Sequence, residues 1–333
     1  MAGILVFSEF ERGELRPEFW ELMTVAAELS TSDGGAVHVA LAGWQLDNVL
    51  EAVGRAGAAE VHLIEDERLT DPWPEGYTEA LAILCNALAP EVVLMPRTPL
   101  GVETAARLAV RLGWSVLQDV TRVEKGPEGI TAVRPVFGGA VAATVVARHG
   151  PWIVVPRPRA FEATEPQETA VSVLVRHDLT LSAPRQTHCG TRTRQESPAA
   201  KNIERARVLV AGGAGLGGPE PFIGLLDEIA ELLGGAVASS RVACDSGWVP
   251  TALQVGLTGK TVAPDLYLAV GISGASQHLA GCASAQVIVV INIDKSAPFF
   301  GLANYGVVGD WKEVLPGLCD GLKENLQAGK SGV

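Results

Sequence analysis

Between residues 3 and 112, short runs of Val, Ile, Leu and Ala alternate with stretches of helical periodicity. The runs at 3–8, 36–42, 60–64 and 91–96 read as strands. The stretches at 17–29, 46–56, 74–88 and 101–112 read as helices. A strand without polar alternation is buried on both faces, and a helix between two such strands is long enough for a parallel crossover. The pattern therefore predicts an α/β fold with a parallel sheet covered on both sides. From about Val120 the rhythm changes. Segments 131–135, 141–147, 152–155 and 170–175 are short and β-branched with no long helix between them, so the expectation is extra strands appended to the sheet edge. Segment 186–202 is polar and small and reads as a linker. The alternation then resumes, with strands at 207–211, 265–270 and 286–291 and helices at 220–233, 275–280 and 311–325. A chain of 333 residues with this break is expected to hold two domains, 1–190 and 205–333, joined by a linker at 191–204.

Charge excludes one broad class of partner. With 26 Lys and Arg against 38 Asp and Glu, the net charge is −12, and nucleic-acid binding, which needs clustered cations, is not expected. A hydrophobic fraction of 47% excludes a disordered chain. No apolar run reaches the ~18 residues of a membrane span, so no direct membrane insertion is expected. Five cysteines stand far apart with no CxxC pair, which suits a reducing compartment. The N-terminus begins with a strand-like run and shows neither a secretory nor a transit pattern, so a cytoplasmic location is expected.

Glycine marks the second half. Residues 205–309 hold 17 of the 37 glycines but only 12 of the 64 charged residues. Glycine lets backbone approach a ligand and turn with positive φ. Four stretches stand out. The first runs strand, glycine loop, helix with a GxGxxG spacing at Gly213, Gly215 and Gly218. That context suits a phosphate cradle, although a plain strand-to-helix turn explains the same spacing. In the second, a strand meets Gly271, Ser273 and Gly274 at the expected start of a helix, with His278 on its first turn. Ser273 fits an N-cap beside a phosphate or an N-cap alone, and His278 fits a ligand contact or a half-buried ring. The third, 239–260, reads as a long loop carrying Ser240, Arg241, Asp245, Thr258 and Lys260, either touching a polar ligand or solvated. The fourth hands Asn292 to the C-terminal edge of a strand and reaches Asp310. Ligands of open α/β sheets bind at that edge, and both residues also suit turns and caps.

In this order and spacing, the four stretches resemble the α-subunit of electron-transfer flavoproteins. The segments SSRVACDSGWVP, QVGLTGK, VAPDLYLAVGISGASQHLAG and INIDKSAPFFGLANYGVVGD follow the family's FAD-binding pattern, and ILVFSEFERGEL is similar to its N-terminal strand. The resemblance spans the whole chain. It implies a nucleotide-binding-like parallel-sheet domain at 1–190 that pairs with a β-subunit, and a doubly wound, Rossmann-like domain at 205–333 that binds FAD. Carried over position by position, it puts Arg241 beside the flavin ring, preceded by the small Ser240, with Thr258 near flavin N5 and His278 near flavin O2. It puts Ser273 and Gln277 along the pyrophosphate and ribityl chain, in the loop of Gly271 and Gly274, and Asn292 and Asp310 on the adenosine side. No catalytic nucleophile and no metal are implied. The chain would act as an electron carrier rather than a substrate-converting enzyme, moving electrons between flavoprotein dehydrogenases such as acyl-CoA dehydrogenases and an acceptor such as a quinone oxidoreductase. The alternatives are an NADH-dependent electron-bifurcating complex and a cofactor-poor scaffold. A plain NAD-dependent dehydrogenase fits poorly, because no acidic ribose reader follows a glycine fingerprint in the first domain.

Reduction leaves negative charge on a flavin ring, and a cation beside it stabilises that charge. At ~4 Å and a dielectric of ~20, one unit charge is worth about 4 kcal/mol, of order 170 mV for a one-electron couple before screening. Arg241 is thus the expected tuning residue, with His278 second. The chain departs from the family pattern at Ala214, where an arginine near the phosphates is expected, and at Leu257, where a glutamine near the flavin is expected. Ala214→Arg should tighten FAD binding in a reconstitution titration; an unchanged dissociation constant would contradict this reading of the loop.

Overall fold

The computed structural model describes residues 3–11, 13–31, 34–139, 141–167, 172–182 and 203–330. The chain divides into two compact units, Met1–Val136 with Val141–Gly190, and Phe137–Ala140 with Thr191–Val333. The expected linker falls at 191–204, of which 191–202 lie outside the described residues.

A seven-stranded sheet organises the first unit, in the order Val173–His177, Glu60–Glu65, Val37–Gly43, Ile4–Ser8, Val92–Leu94, Trp152–Pro156, Ser115–Val120. Every neighbouring pair is parallel. The central strand Ile4–Ser8 is buried along its length because helices cover both of its faces. On one face Phe19, Leu22 and Val25 of helix Glu18–Thr31 pack with Val39, Leu41 and Val61. On the other, Leu81 and Leu84 of helix Pro74–Leu88 and Leu108 of helix Pro99–Leu112 pack with Leu5 and Phe7. The capping chemistry sets the helix ends. Thr98 accepts a hydrogen bond from the Gly101 amide, which starts the Pro99–Leu112 helix two residues ahead of the sequence expectation. Gly113, left-handed at φ 70°, ends it.

The departures from the sequence reading cluster after Val120. Trp152–Pro156 does not extend the sheet edge but sits inside the sheet, between Val92–Leu94 and Ser115–Val120. The pattern 131–135 and 141–147 belongs to a separate antiparallel sheet of Arg122–Gly126, Gly129–Val136 and Val141–Ala147. Of the four segments expected at the edge, Val173–His177 alone is an edge strand of the large sheet; its other edge is Ser115–Val120. Expectation placed a strand from 170; residues 170–171 lie outside the described residues. Ser115–Val120 was not expected, because Gln118 and Asp119 break its apolar run. The stretch read as one helix at 46–56 is a 3-10 turn, Leu46–Val49, followed by the short helix Leu50–Gly54.

The second unit has a five-stranded sheet in the order Ala236–Ser239, Val208–Gly212, Leu266–Val270, Val287–Asn292, Tyr305–Val308, again all parallel. Counted along the chain this order is 2-1-3-4-5. The sense of winding reverses between Val208–Gly212 and Leu266–Val270, and that switch point leaves a crevice at the carboxyl ends of the two strands. Two strands were not expected. Ala236–Ser239 is built of small residues, and Tyr305–Val308 is an exposed edge. The stretch read as one helix at 220–233 breaks at Gly224 into Glu220–Ile223 and Leu225–Leu232. No helix among the described residues is long and apolar enough to cross a membrane.

The first sheet has a switch point too, between Ile4–Ser8 and Val92–Leu94. There Glu9 follows its strand directly and accepts a hydrogen bond from Thr98. Burial pushes the Glu9 carboxyl up to about 7, against the pull of Thr98 and Arg16. Between about pH 4.5 and 7 the folded chain holds a proton that the unfolded chain releases. The stabilisation is therefore full below 4.5 and is lost as pH rises through 7. Glu9→Gln should remove this slope, so its stability relative to the native chain should rise with pH across that window in urea titrations.

Candidate functional site

The switch point of the second sheet is closed by backbone alone. The Gly213 amide donates to the Val270 carbonyl at 2.9 Å, and the Gly215 amide to the Gly271 carbonyl at 3.0 Å. Gly271 holds φ at 62°, a left-handed conformation. A Cβ on Gly215 would meet the Gly271 Cα at 2.8 Å, and one on Gly271 would meet Gly215 backbone at 3.0 Å. Two glycine loops thus meet with no side chain between them. Trp311, opening helix Trp311–Lys330, donates its indole N–H to the Gly215 carbonyl at 3.1 Å and holds the first loop from outside.

Above these loops lies a cavity of about 490 Å³. Eight residues singled out from the sequence line it: Ser240, Arg241, Thr258, Gly271, Ser273, Gln277, His278 and Asn292. Asp310 lines an adjoining cavity of about 190 Å³ that shares Gly215, Gly271 and Asn292. Gly274 lines neither. It turns at φ 85° beneath Phe299, where a Cβ would collide with the Phe299 backbone, so its part is to shape the loop. The Ser273 carbonyl accepts from the Phe299 amide. Ser273 and Gly274 are not the helix N-cap that the sequence suggests. The helix is Ser276–Cys282, with Ala275 at the cap, and His278 stands on its first turn as expected.

The stretch read as a long loop is more ordered than its composition suggests. Ser239 ends a strand, Ser240 takes the N-cap position of the short helix Arg241–Asp245 without a side-chain capping bond, and the Ser240 amide donates to the Gly212 carbonyl at 2.9 Å. Arg241 opens that helix on the cavity wall, 66% exposed, with its Nε 3.1 Å from the Asp245 carboxylate. Solvent and this partner both screen its charge, so its pull on a neighbouring anion falls well below the unscreened figure. The Thr258 hydroxyl accepts from the Gln254 amide at 3.1 Å and keeps its own proton to donate. Leu257 beside it is 70% exposed. Asn292 spans two loops, donating to the Ile272 carbonyl at 2.9 Å and accepting from the Asp294 amide at 3.0 Å. Asp310 accepts from the Lys312 amide at 3.0 Å, at the head of the closing helix.

His278 is buried against Phe299, and its Nε2 lies 3.0 Å from the hydroxyl of the fully buried Tyr267. Burial pushes its pKa down to about 4, opposed by the nearby Val255 carbonyl, so the ring is neutral near pH 7. Its Nδ1 is buried with no well-formed hydrogen bond. Sequence reading missed Tyr267, Gln254 and Trp311. Tyr267 had a local signal, a lone phenol in an apolar strand that must find a buried partner.

Comparisons with known proteins follow the same division. Residues 4–181 match the family model described as electron transfer flavoprotein domain, and residues 202–283 match the electron transfer flavoprotein FAD-binding domain. The electron transfer flavoprotein subunit alpha of Thermoanaerobacterium thermosaccharolyticum is 34% identical over 326 residues, covering 96% of this chain and 98% of that protein. The subunit alpha of Mycobacterium tuberculosis is 37% identical over 323 residues, covering 97% and 99%. Protein FixB of Azorhizobium caulinodans is 35% identical over 329 residues, covering 97% and 89%.

The paired glycine loops generate a controlled test. Gly217 also has positive φ, at 80°, but open space around it. Gly217→Ala should cost only the backbone strain, about 1 kcal/mol, while Gly271→Ala should cost more, toward 3 kcal/mol, because its Cβ also presses on Gly215. Equal losses in urea unfolding would show that the close approach carries no weight.

Proposed function

The chain belongs to the electron transfer flavoprotein α-subunit family, and on that footing we propose that it carries electrons between flavoprotein dehydrogenases, such as acyl-CoA dehydrogenases, and an acceptor such as a quinone oxidoreductase. The observation that carries the reading is the cavity at the second sheet's switch point, where eight of the ten residues singled out by motif converge.

The residues present fit FAD. A Cβ on Gly215 or Gly271 would press on the other loop, so the glycines hold the two loops close and leave their backbone open to a dinucleotide. The donors around the cavity suit an elongated ligand that is anionic at its pyrophosphate and rich in carbonyl acceptors at its ring. When bound, FAD supplies the capacity to take up and release electrons singly or in pairs. The chain's residues position it. Gly271, Ser273 and Gln277 lie along the pyrophosphate and ribityl chain in this reading, with Gly274 setting the turn. Asn292 and Asp310 take the adenosine side, and Ser240, Arg241, Thr258 and His278 face the ring. Tyr267, donating to Nε2, would hold the His278 proton on Nδ1, beside the Val255 carbonyl, and keep the ring neutral at the cavity wall. Arg241 would favour negative charge on the ring, more strongly once a partner surface displaces the water around it.

Residues 1–190 form the part that meets a β-subunit in this proposal. Strand Val141–Ala147 leaves Val141, Val145 and Val146 exposed, which supports a surface covered in an assembly. A cytoplasmic setting accords with four buried, unpaired thiols, Cys85, Cys244, Cys282 and Cys319. Co-expression with a β-type subunit, followed by an absorbance spectrum and an anaerobic reductive titration, tests the function. One FAD per heterodimer, reduced by a dehydrogenase and not by NADH, is the expected outcome. Two flavins with direct NADH reduction would replace this reading with an electron-bifurcating one, and no flavin after reconstitution would refute both.

A further inference from the structure

Three strands of the first sheet bring imidazoles and a carboxylate to one face, in the unit that does not hold the flavin cavity. His38 on Val37–Gly43 is the register partner of Glu60 on Glu60–Glu65. His62 lies two residues beyond Glu60, so it points to the same side. On the edge strand Val173–His177, Val175 pairs with His62, which puts His177 on that side as well. The His62 Nε2 is 3.3 Å from the His38 Nδ1, and each of these atoms is 3.4 Å from the Glu60 Oε2. On its other side, the His62 Nδ1 lies 3.0 Å from the His177 Nε2.

These separations match one geometry. Bonds of ~2.05 Å to a tetrahedral ion require ligand atoms about 3.3 Å apart. The three atoms form a nearly equilateral triangle of that edge, which is one face of such a tetrahedron. We propose that His38, Glu60 and His62 bind one divalent transition-metal ion, zinc by preference, with the fourth position left to water.

The surroundings suit such an ion. Two imidazoles and a carboxylate form a recurrent zinc ligand set, and the nitrogen-rich mixture disfavours magnesium and calcium. His62 is buried at 2% exposure, while His38 at 21% and Glu60 at 41% leave a way in from solvent. A ligating imidazole needs its other nitrogen fixed. His177 is placed to accept the Nδ1–H of His62 and so present Nε2 to the metal, which makes it a positioning residue. The ion would tie Val37–Gly43 to Glu60–Glu65 and, through His177, hold the edge strand Val173–His177. Nothing in the flavin chemistry uses these side chains.

The test uses the full chain stripped of metal by a chelator. Titration with Zn²⁺ alone, in competition with a chromophoric chelator, should give one ion per chain and a raised melting temperature. His38→Ala and Glu60→Gln change partly exposed residues, so they should fold and lose the site. His177→Ala should keep one ion but bind it roughly 10–100-fold more weakly. Co²⁺ in place of Zn²⁺ should show the intense visible bands of a four-coordinate ion. The proposal is overturned if the native chain binds Zn²⁺ no better than the folded His38→Ala/Glu60→Gln double variant, or if Co²⁺ gives only the weak bands of a six-coordinate ion.

Discussion

Backbone meeting backbone at Gly215 and Gly271 is the contact on which the rest of the second unit depends. It brings the loops after Val208–Gly212 and Leu266–Val270 together across the switch point, with the Gly215 amide bonded to the Gly271 carbonyl. A pair of larger residues there would force the strand ends apart or fill the crevice. Because neither loop carries a side chain at the contact, the wall stays open to a ligand and the polar groups can come from farther away. Ser240 and Arg241 arrive from the neighbouring strand's end, Thr258 from the next connection, and Ser273 to His278 from the second glycine loop itself. Trp311 and Asn292 then fix the loops by hydrogen bonds to the Gly215 and Ile272 carbonyls.

The two units show that one architecture supports two kinds of switch point. Both sheets are parallel and both reverse their winding, yet the first places Glu9 and Thr98 at its crevice where the second places glycines. A buried carboxyl group bonded to the helix cap occupies the position where a helix N-terminus would otherwise meet a phosphate. Burial beside that cap is what raises the Glu9 pKa. The second unit keeps its crevice by accepting glycine's conformational cost at Gly271 and Gly274, both at positive φ.

Electrostatics within the cavity follow burial more than formal charge. Arg241 carries the full charge but stands in solvent beside Asp245. His278 is neutral, yet it sits where the dielectric is low and is oriented by Tyr267. A neutral ring in a dry wall and a cation at the rim act differently on a ligand, because the first works at short range and the second is screened until water leaves.

The order of residues along the chain carries the α/β class, the main helices and eight of the residues that line the cavity. Those features rest on local chemistry: apolar periodicity, glycine at turns, and short motifs whose residues are close in the chain. It also placed Pro74–Leu88 to the residue, since Pro74 opens that helix and an apolar stripe carries it to Leu88 despite Gly76. What it could not decide was which strand pairs with which. Trp152–Pro156 reads as an appended strand because its neighbours in the chain are edge-like, but it is paired by segments some 30 and 60 residues away, Ser115–Val120 and Val92–Leu94. The same limit hid Tyr267 behind His278, Trp311 behind Gly215, and the grouping of His38, Glu60, His62 and His177. Each is made by strand register or helix docking, which set distances between residues far apart in the chain and leave no mark on the local pattern.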